Sequence, residues 1–175
     1  VAAALAGCCE WGAVLVDGGS RDGSRERIAE LARADARVVG VANDRGRGQT
    51  SALCAGFRAA RGELLAMLDA DLQNDPRDLL AMVAALEGCD AVVGYRVRRH
   101  DTWVRRLSSR IGNGVRNRLT GDFVRDTGCS LKVFRAEAIR SLALFEGLHR
   151  FLPTLLRWYG WRVVEHPVAH HPRRR

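Results

Sequence analysis

The chain has 175 residues, of which 47% are hydrophobic and 27% are charged, a balance typical of a globular domain with its own core. This composition excludes a disordered chain, a collagen-like fibre and a small disulfide scaffold. The net charge is +8, and arginine supplies nearly all of the basic residues because Lys132 is the only lysine. Arginine binds phosphate through a planar fork, so the excess favours a phosphate-bearing or anionic partner, with arginine-rich codon usage as the alternative.

Cysteine usage and hydropathy limit the compartment and the membrane topology. The five cysteines include no pair with metal-ligand spacing, and their odd number argues against a closed disulfide framework. A reducing compartment is therefore expected. No apolar run reaches the about 18 residues that cross a bilayer.

In the first half of the chain, apolar runs alternate with helical patterns. Strands are predicted at 13–16, 38–42, 64–68 and 91–93, and helices at 24–33, 49–60 and from Pro76 onward, with Asp75 as the N-cap of the last. This alternation predicts an α/β domain with a largely parallel sheet. Ligands of such sheets bind beyond the carboxyl ends of the strands.

The second half is richer in arginine and in amphipathic helices. The patterns predict a long basic helix over 103–119, a strand at 131–134, helices at 136–144 and 148–159, and an edge strand at 162–168. The basic helix either faces anionic lipid or presents a solvated surface, and the helix at 148–159 either packs in the core or lies on a membrane. Three histidines near the C-terminus, His166, His170 and His171, lack the partners of a zinc site, and we expect them with the edge strand, near the bound ligand.

The sharpest chemical signal is the segment Asp-Ala-Asp-Leu-Gln-Asn-Asp-Pro at 69–76. A buried strand delivers Asp69 and Asp71, two residues apart, at its carboxyl end, and Gln73 adds a neutral oxygen. Mg²⁺ and Mn²⁺ prefer such oxygen ligands and keep positions open for phosphates. The alternative is an acidic loop that only caps the next helix, but Asp75 already serves that purpose.

Two glycine-containing turns are weaker candidates for binding a nucleotide. Asp17 ends the first strand before Gly-Gly-Ser, where its carboxylate can accept hydrogen bonds from a base or ribose, while Asp22 binds ligand or caps the following helix. A second loop over 43–49 contains Arg45 and Gly48 and can hold phosphate at a helix N-terminus.

In this order, the motifs resemble those of family-2 glycosyltransferases, which have the GT-A fold. The resemblance covers residues 12–172 and rests on the segments 16–23, 48–57 and 69–76. The segments 94–96, 126–135 and 149–153 make the chain similar to the polyprenyl-phosphate branch, which includes dolichyl-phosphate mannose synthases and undecaprenyl-phosphate sugar transferases. The resemblance therefore implies an α/β GT-A domain with a mostly parallel sheet flanked by helices. It also implies that residues 1–175 are one incomplete catalytic domain, without the family's first strand and any C-terminal membrane helices.

The resemblance assigns roles residue by residue. Four residues are implied to be catalytic: Asp71, Arg96, Arg125 and Asp126. The two arginines hold the acceptor phosphate, and Asp126 orients Arg125. The nucleotide sugar is assigned to five residues: Asp17, Asp22, Arg45, Gly48 and Asp69. A Mg²⁺ or Mn²⁺ ion is assigned to Asp69, Asp71 and Gln73.

The sequence departs from the family pattern at two positions within the segments that carry the resemblance. Gly18 replaces a second aspartate, which thins the expected contacts to the base, and Cys129 stands where a serine near the acceptor phosphate is common, with Ser130 next to it. The first departure bears on nucleotide binding and the second on acceptor binding.

The implied function is inverting transfer of a sugar from a UDP- or GDP-sugar to a polyprenyl phosphate. The implied place is the cytoplasmic face of a bacterial plasma membrane, reached peripherally or through C-terminal helices outside this sequence. The alternatives are a family-2 transferase with a soluble or polysaccharide acceptor, a pseudoenzyme, and a basic nucleic-acid-binding module. Nucleic acid is the least favoured partner, because only 6% of residues are aromatic and no recognition motif is present. The sequence specifies no oligomeric state.

Overall fold

The structure is a computed structural model that describes residues 1–43, 48–97, 124–143 and 147–172, with a few isolated positions between 98 and 123. Two predictions fall outside these residues: nearly all of the basic helix over 103–119, and Arg45 in the second glycine-containing loop.

Strands and helices alternate through the first half of the described chain, as the sequence predicts. The strands are β1 (Ala13–Asp17), β2 (Val38–Ala42), β3 (Leu64–Met67), β4 (Ala91–Arg96), β5 (Lys132–Arg135) and β6 (Val163–Val168). The helices are α1 (Ala2–Leu5), α2 (Ser24–Ala34), α3 (Gly48–Ala59), α4 (Asp78–Ala84), α5 (Ala136–Arg140) and α6 (Leu152–Trp158), with a 3₁₀ turn at Leu148–Arg150.

Two predicted helices are shorter in the structure. The helix predicted over 136–144 ends at Arg140, where the Ser141 hydroxyl donates to the Ala138 carbonyl at 2.7 Å. The helix predicted over 148–159 is divided into the 3₁₀ turn and α6, and Pro153 lies in the first turn of α6, where proline is well tolerated. Strand β4, in contrast, runs three residues beyond its predicted end and carries Arg96 as its last residue.

The strands form two sheets. β1 and β2 pair in parallel, while the larger sheet has the order β3-β5-β4-β6. β5 is antiparallel to β3 and to β4, and β4 is parallel to β6. Three of the four strands in this sheet therefore share one direction, which agrees with the predicted α/β class. The carboxyl ends of β3 and β4 lie at the same edge, on either side of the start of β5.

The larger sheet is buried on both faces. One face packs Phe134 and Val93 against α5, α6 and the apolar side of α3, with Phe57 meeting Phe134 edge to face at 6.2 Å between ring centroids. The other face packs Val92 and Val133 against α4. Within the described residues, no helix is both long enough and apolar enough to cross a membrane.

Candidate functional site

A small polar cavity lies beyond the carboxyl ends of β3 and β4, where the parallel strands predict a ligand site. Its volume is about 60 Å³, and side chains from both strand ends and from the turn before β5 form its wall. The lining residues are Asp69, Asp71, Gln73, Asn74, Arg96, Gly128, Cys129, Ser130 and His170. The structure therefore brings the predicted metal ligands and the predicted phosphate-binding Arg96 together around one cavity.

The two carboxylates that follow β3 each accept a hydrogen bond, Asp69 from the start of α3 and Asp71 from its own loop. Gln49 Nε2 donates to Asp69 Oδ1 at 3.2 Å, and the Gln73 backbone N–H donates to Asp71 Oδ1 at 3.2 Å. Leu72, between the aspartate and the glutamine, has φ +63°, and no other non-glycine residue in the described ranges has a positive φ. This left-handed residue turns the chain sharply inside the acidic loop, and such conformations concentrate at functional sites.

The chemistry of these side chains fits a hard divalent cation. Asp69, Asp71 and Gln73 offer only oxygen donors when the amide oxygen of Gln73 is used, and its Nε2 donates to the His171 carbonyl at 3.5 Å. The described residues contain no cluster of three or more histidine, cysteine or acidic side chains that could enclose a metal by itself. An ion held here would therefore complete its coordination with water or phosphate oxygens, as Mg²⁺ commonly does.

A serine hydroxyl joins the acidic loop to the opposite wall of the cavity. Ser130 Oγ accepts a hydrogen bond from the Asp69 backbone N–H at 3.3 Å and another from Asn74 Nδ2 at 2.8 Å. Both Ser130 and its neighbour Cys129 are buried, and burial raises the pKa of the Cys129 thiol. Of the two neighbouring residues Cys129 and Ser130, it is therefore Ser130 that makes the polar contacts at this position.

Arg96 is clamped by a carboxylate that lies 30 positions away in sequence. Its Nε and Nη2 donate to the two oxygens of Asp126 at 2.7 and 2.9 Å. The Asp126 carboxylate also accepts from the backbone N–H groups of Arg96 and Gly128, at 3.3 and 3.2 Å. Both side chains are largely buried, so the guanidinium is held in one orientation at the cavity wall.

Arg125 has different surroundings from those we expected. Its side chain pairs with Glu165 of β6 at 3.5 Å and lies over the Tyr95 ring at 5.1 Å, and its own backbone N–H donates to the same carboxylate at 2.7 Å. The expectation that Asp126 orients Arg125 is therefore corrected: Asp126 orients Arg96. The reason is that β4 and β6 are paired, which places Glu165 opposite Val93, within reach of the chain that enters β5. Arg125 itself is mostly exposed and does not line the cavity.

The predicted nucleotide-binding residues lie around β1 and α3. Asp17 is buried at the end of β1, where it accepts hydrogen bonds from Ser20 N–H at 2.9 Å and Arg25 Nε at 3.1 Å. Bonds from the Ser20 side chain and backbone, and then from Arg25, lower the pKa of Asp17 to about 2. Asp22 accepts hydrogen bonds from the Ser24 N–H and hydroxyl at the start of α2. These contacts agree with the alternative in which Asp22 supports the start of the following helix. Gly48 begins α3 with φ +76°, a conformation that favours glycine.

Two contacts of the site join segments that are far apart in the sequence. Asn74 and His170 pair as an isolated bridge at one side of the cavity, so His170 follows β6 and lines the cavity, whereas His166 lies within β6. His149 Nδ1 lies 3.0 Å from Thr50 Oγ1, and burial lowers the pKa of this histidine. Thr50 is next to Gln49, so the histidine is tied to the same helix start that contacts Asp69.

The fold and the cavity together define a class of protein. The chain superposes on glucosyl-3-phosphoglycerate synthase from Mycobacterium tuberculosis, solved with Mn²⁺ and UDP-glucose, with a TM-score of 0.65 and 17% identity, covering 93% of this chain and 60% of that one. At this identity the likeness concerns the fold alone. The architecture is the GT-A fold.

Within that class, the sequence defines the family. The model of "Glycosyl transferase family 2" matches residues 2–143, and the chain belongs to this family. It is 42% identical over 159 residues to an undecaprenyl-phosphate 4-deoxy-4-formamido-L-arabinose transferase of Edwardsiella ictaluri, covering 90% of the chain and 49% of that protein. It is also 37% identical over 169 residues to a dodecaprenyl-phosphate galacturonate synthase of Rhizobium johnstonii, covering 93% and 50%. The chain thus spans about half the length of these relatives.

Proposed function

We propose that this domain transfers a sugar from a nucleotide-diphosphate sugar to a polyprenyl phosphate. The observation that carries the proposal is that one cavity is lined by Asp69 and Asp71 on one side and by the clamped Arg96 on the other. Two carboxylates suit a cation and a diphosphate, and an arginine fork suits a second phosphate. The named activities of the relatives from Edwardsiella and Rhizobium support the same acceptor class.

The reaction needs little acid–base chemistry from the protein. An acceptor phosphomonoester is already anionic near neutral pH, because its second pKa is about 6. One of its oxygens attacks the anomeric carbon, the bond from that carbon to the β-phosphate oxygen breaks, and the nucleoside diphosphate leaves with the bonding electrons. Direct displacement inverts the configuration, and no proton has to move.

Different residues of the cavity would bind the donor diphosphate and the acceptor phosphate. Asp69, Asp71 and Gln73 would hold a Mg²⁺ or Mn²⁺ ion, which when bound supplies positive charge for the leaving diphosphate. Arg96, oriented by Asp126, would hold the acceptor phosphate against repulsion from the donor. Arg125 would meet the acceptor further out, beside Tyr95. Asp17 and Gly48 would bind the nucleotide part, together with Asp22 and Arg45.

The acceptor's lipid tail implies a membrane surface. We place the domain at the cytoplasmic face of the membrane, peripherally bound, because its net charge of +8 attracts anionic headgroups and each cation near such a surface contributes about 1 kcal/mol. Sedimentation with anionic vesicles tests this: binding that persists in neutral vesicles and in high salt would contradict an electrostatic attachment.

Transfer of labelled sugar tests the function directly. A panel of UDP- and GDP-sugars is offered with undecaprenyl phosphate, with Mg²⁺ or Mn²⁺ and with EDTA, to the longest form of the chain that its gene encodes. Metal-dependent labelled lipid from one donor is expected, and Asp71→Asn should lower it by about 100-fold or more because it removes electrostatic stabilisation of the leaving group. Glu87→Gln, which neutralises an exposed carboxylate outside the cavity lining, is the matched control.

The outcomes separate the competing functions. Donor binding without lipid product indicates a soluble or polysaccharide acceptor. Absence of donor binding, in a folded protein, indicates a pseudoenzyme. Salt-dependent binding to random DNA that Asp71→Asn leaves unchanged indicates a nucleic-acid-binding module.

A further inference from the structure

The only lysine of the chain is buried directly under the cavity. Lys132 is 2% exposed and is the first residue of β5, paired with Met67 of β3 on one side and with Val93 of β4 on the other. These two strands end at the cavity, so the lysine lies between the strand that leads to Asp69 and the strand that ends in Arg96. Its neighbours in the sheet are apolar core residues.

The fold offers the Lys132 ammonium few contacts that offset the loss of its hydration on burial. Lys132 Nζ donates to the carbonyl of Cys129, and among the described residues no carboxylate forms an ion pair with it. An apolar side chain of the same length would avoid the desolvation penalty that a buried charge carries. A methionine would therefore serve the core at least as well, which points to a role outside folding.

The charges that Lys132 experiences belong to both halves of the site. Burial lowers the pKa of Lys132; against this, the charges of Asp126 and Asp69 favour its charged form, and Arg96 opposes it. The Cys129 carbonyl that it binds lies in the turn from Gly128 to Ser130, which forms the cavity wall facing Arg96. That turn is closely packed, since a Cβ atom on Gly128 would lie 3.1 Å from Arg96 Nη2.

We infer that Lys132 is a positioning residue for the acceptor phosphate, which holds the Gly128–Ser130 turn in place through its hydrogen bond to the Cys129 carbonyl. The inference rests on the proposed function, because it presumes that a phosphate is bound beside Arg96. Lys132 acts through the turn, and it does not touch the substrate. Its effect should therefore fall on acceptor binding rather than on binding of the nucleotide.

Substitution by methionine separates this role from a structural one. Lys132→Met should keep or raise the midpoint of thermal unfolding, because a buried charge is replaced by an apolar side chain of similar length. The KM for polyprenyl phosphate should rise by about tenfold or more, as expected when a binding group is misplaced, while the Kd for metal and nucleotide stays within about twofold. Lys132→Arg keeps the charge and should recover part of the acceptor affinity. Arg140→Met, on the exposed end of α5, is the control for loss of one positive charge.

Two results of this experiment would overturn the inference. One is an acceptor KM for Lys132→Met equal to that of the wild type. The other is a parallel loss of thermal stability, nucleotide affinity and acceptor affinity, which is the signature of a residue needed only for folding. Failure of the proposed function looks different, because the wild type itself would then transfer no sugar to polyprenyl phosphate.

A measurement on the wild-type protein covers the case in which Lys132→Met does not fold. Lysine is labelled with ¹⁵N, and the side-chain Nζ resonance of Lys132 is identified as the one that Lys132→Arg removes. Farnesyl phosphate and inorganic phosphate are titrated separately, with the Mg²⁺ complex of UDP or GDP as a third ligand. A saturable shift with the first two, larger than the shift with the nucleotide, is expected. A resonance that does not respond to either phosphate contradicts the inference.

Discussion

The ion pair between Arg96 and Asp126 is the part of the site whose removal has the clearest consequences. Asp126→Asn exchanges one carboxylate oxygen for an amide nitrogen, which faces the N–H donors of a guanidinium that is 14% exposed. Two charge-assisted hydrogen bonds, at 2.7 and 2.9 Å, are then lost or weakened, and a buried cation loses its counterion. Removal of one partner from a buried pair costs about 3–5 kcal/mol.

This magnitude is measurable by thermal unfolding. In a domain of this size, 1 kcal/mol shifts the midpoint by about 2–4 °C, so we expect Asp126→Asn to lower it by about 6–12 °C, taking the lower bound of the penalty. Circular dichroism gives the midpoint, and the transfer assay gives the activity, which should fall with it because Arg96 loses its fixed orientation.

A double-mutant cycle distinguishes the pair from a general effect of either substitution. Arg96→Met combined with Asp126→Asn removes both charges together, keeps an oxygen for the backbone N–H groups of Arg96 and Gly128, and should restore most of the stability while transfer stays abolished. A coupling energy below about 0.5 kcal/mol, as found for independent sites, would refute the argument that Asp126 holds Arg96. Full transfer activity in the stable double variant would refute the role of Arg96 in acceptor binding.

Three further predictions follow from neighbouring features. Asp17→Asn should weaken binding of the nucleotide, measured by calorimetry, and should reduce acid sensitivity: because the pKa of folded Asp17 is about 2, below its ordinary value of 3.8, its stabilising contribution is present above about pH 4 and is lost as the pH falls towards 2. Wild type and Asp17→Asn that lose stability equally over that range would contradict this. Leu72→Ile should unfold at a lower temperature than Leu72→Gly, because a β-branched residue tolerates φ +63° worst; equal midpoints would mean that the loop relaxes. Glu165→Gln should change the free energy of unfolding by less than about 1 kcal/mol, since Arg125 is exposed; a larger loss in chemical denaturation would show that this pair supports the fold.

The acidic loop and its strand were predictable because all of their determinants are local. A short apolar run, three aspartates and a proline lie within 13 residues, and each acts on its immediate neighbours. The strand ends before Asp69, as predicted, but α4 begins at Asp78 with Arg77 as its N-cap, two residues after the predicted start, and Asp75 accepts the Arg77 N–H at 2.9 Å in the turn before it. The start of α2 behind Asp22 was predictable for the same reason.

The other wall of the cavity depends on pairing between distant segments. The sequence pattern predicts a strand near 131–134 but carries no information on its direction, and only the antiparallel insertion of β5 between β3 and β4 brings Ser130 to Asp69. That Asp126 pairs with the distant Arg96 and not with its sequence neighbour Arg125 follows from the same insertion. Adjacent residues on a turn point to different sides, and sequence spacing alone does not say which side faces the cavity.

The antiparallel insertion of β5 also explains how one small cavity can serve two phosphates. A parallel strand in that place would bring its amino end to the opposite edge, and the turn preceding it would be a sheet's length away from Asp69. Because β5 runs the other way, it begins where β3 and β4 end, and the residues just before it, from Asp126 to Ser130, face the acidic loop directly. In the proposed function, the donor side is therefore built from a strand end and the acceptor side from a strand start. Their hydrogen bonds through Ser130 make the spacing between the two phosphates a property of the sheet rather than of flexible loops.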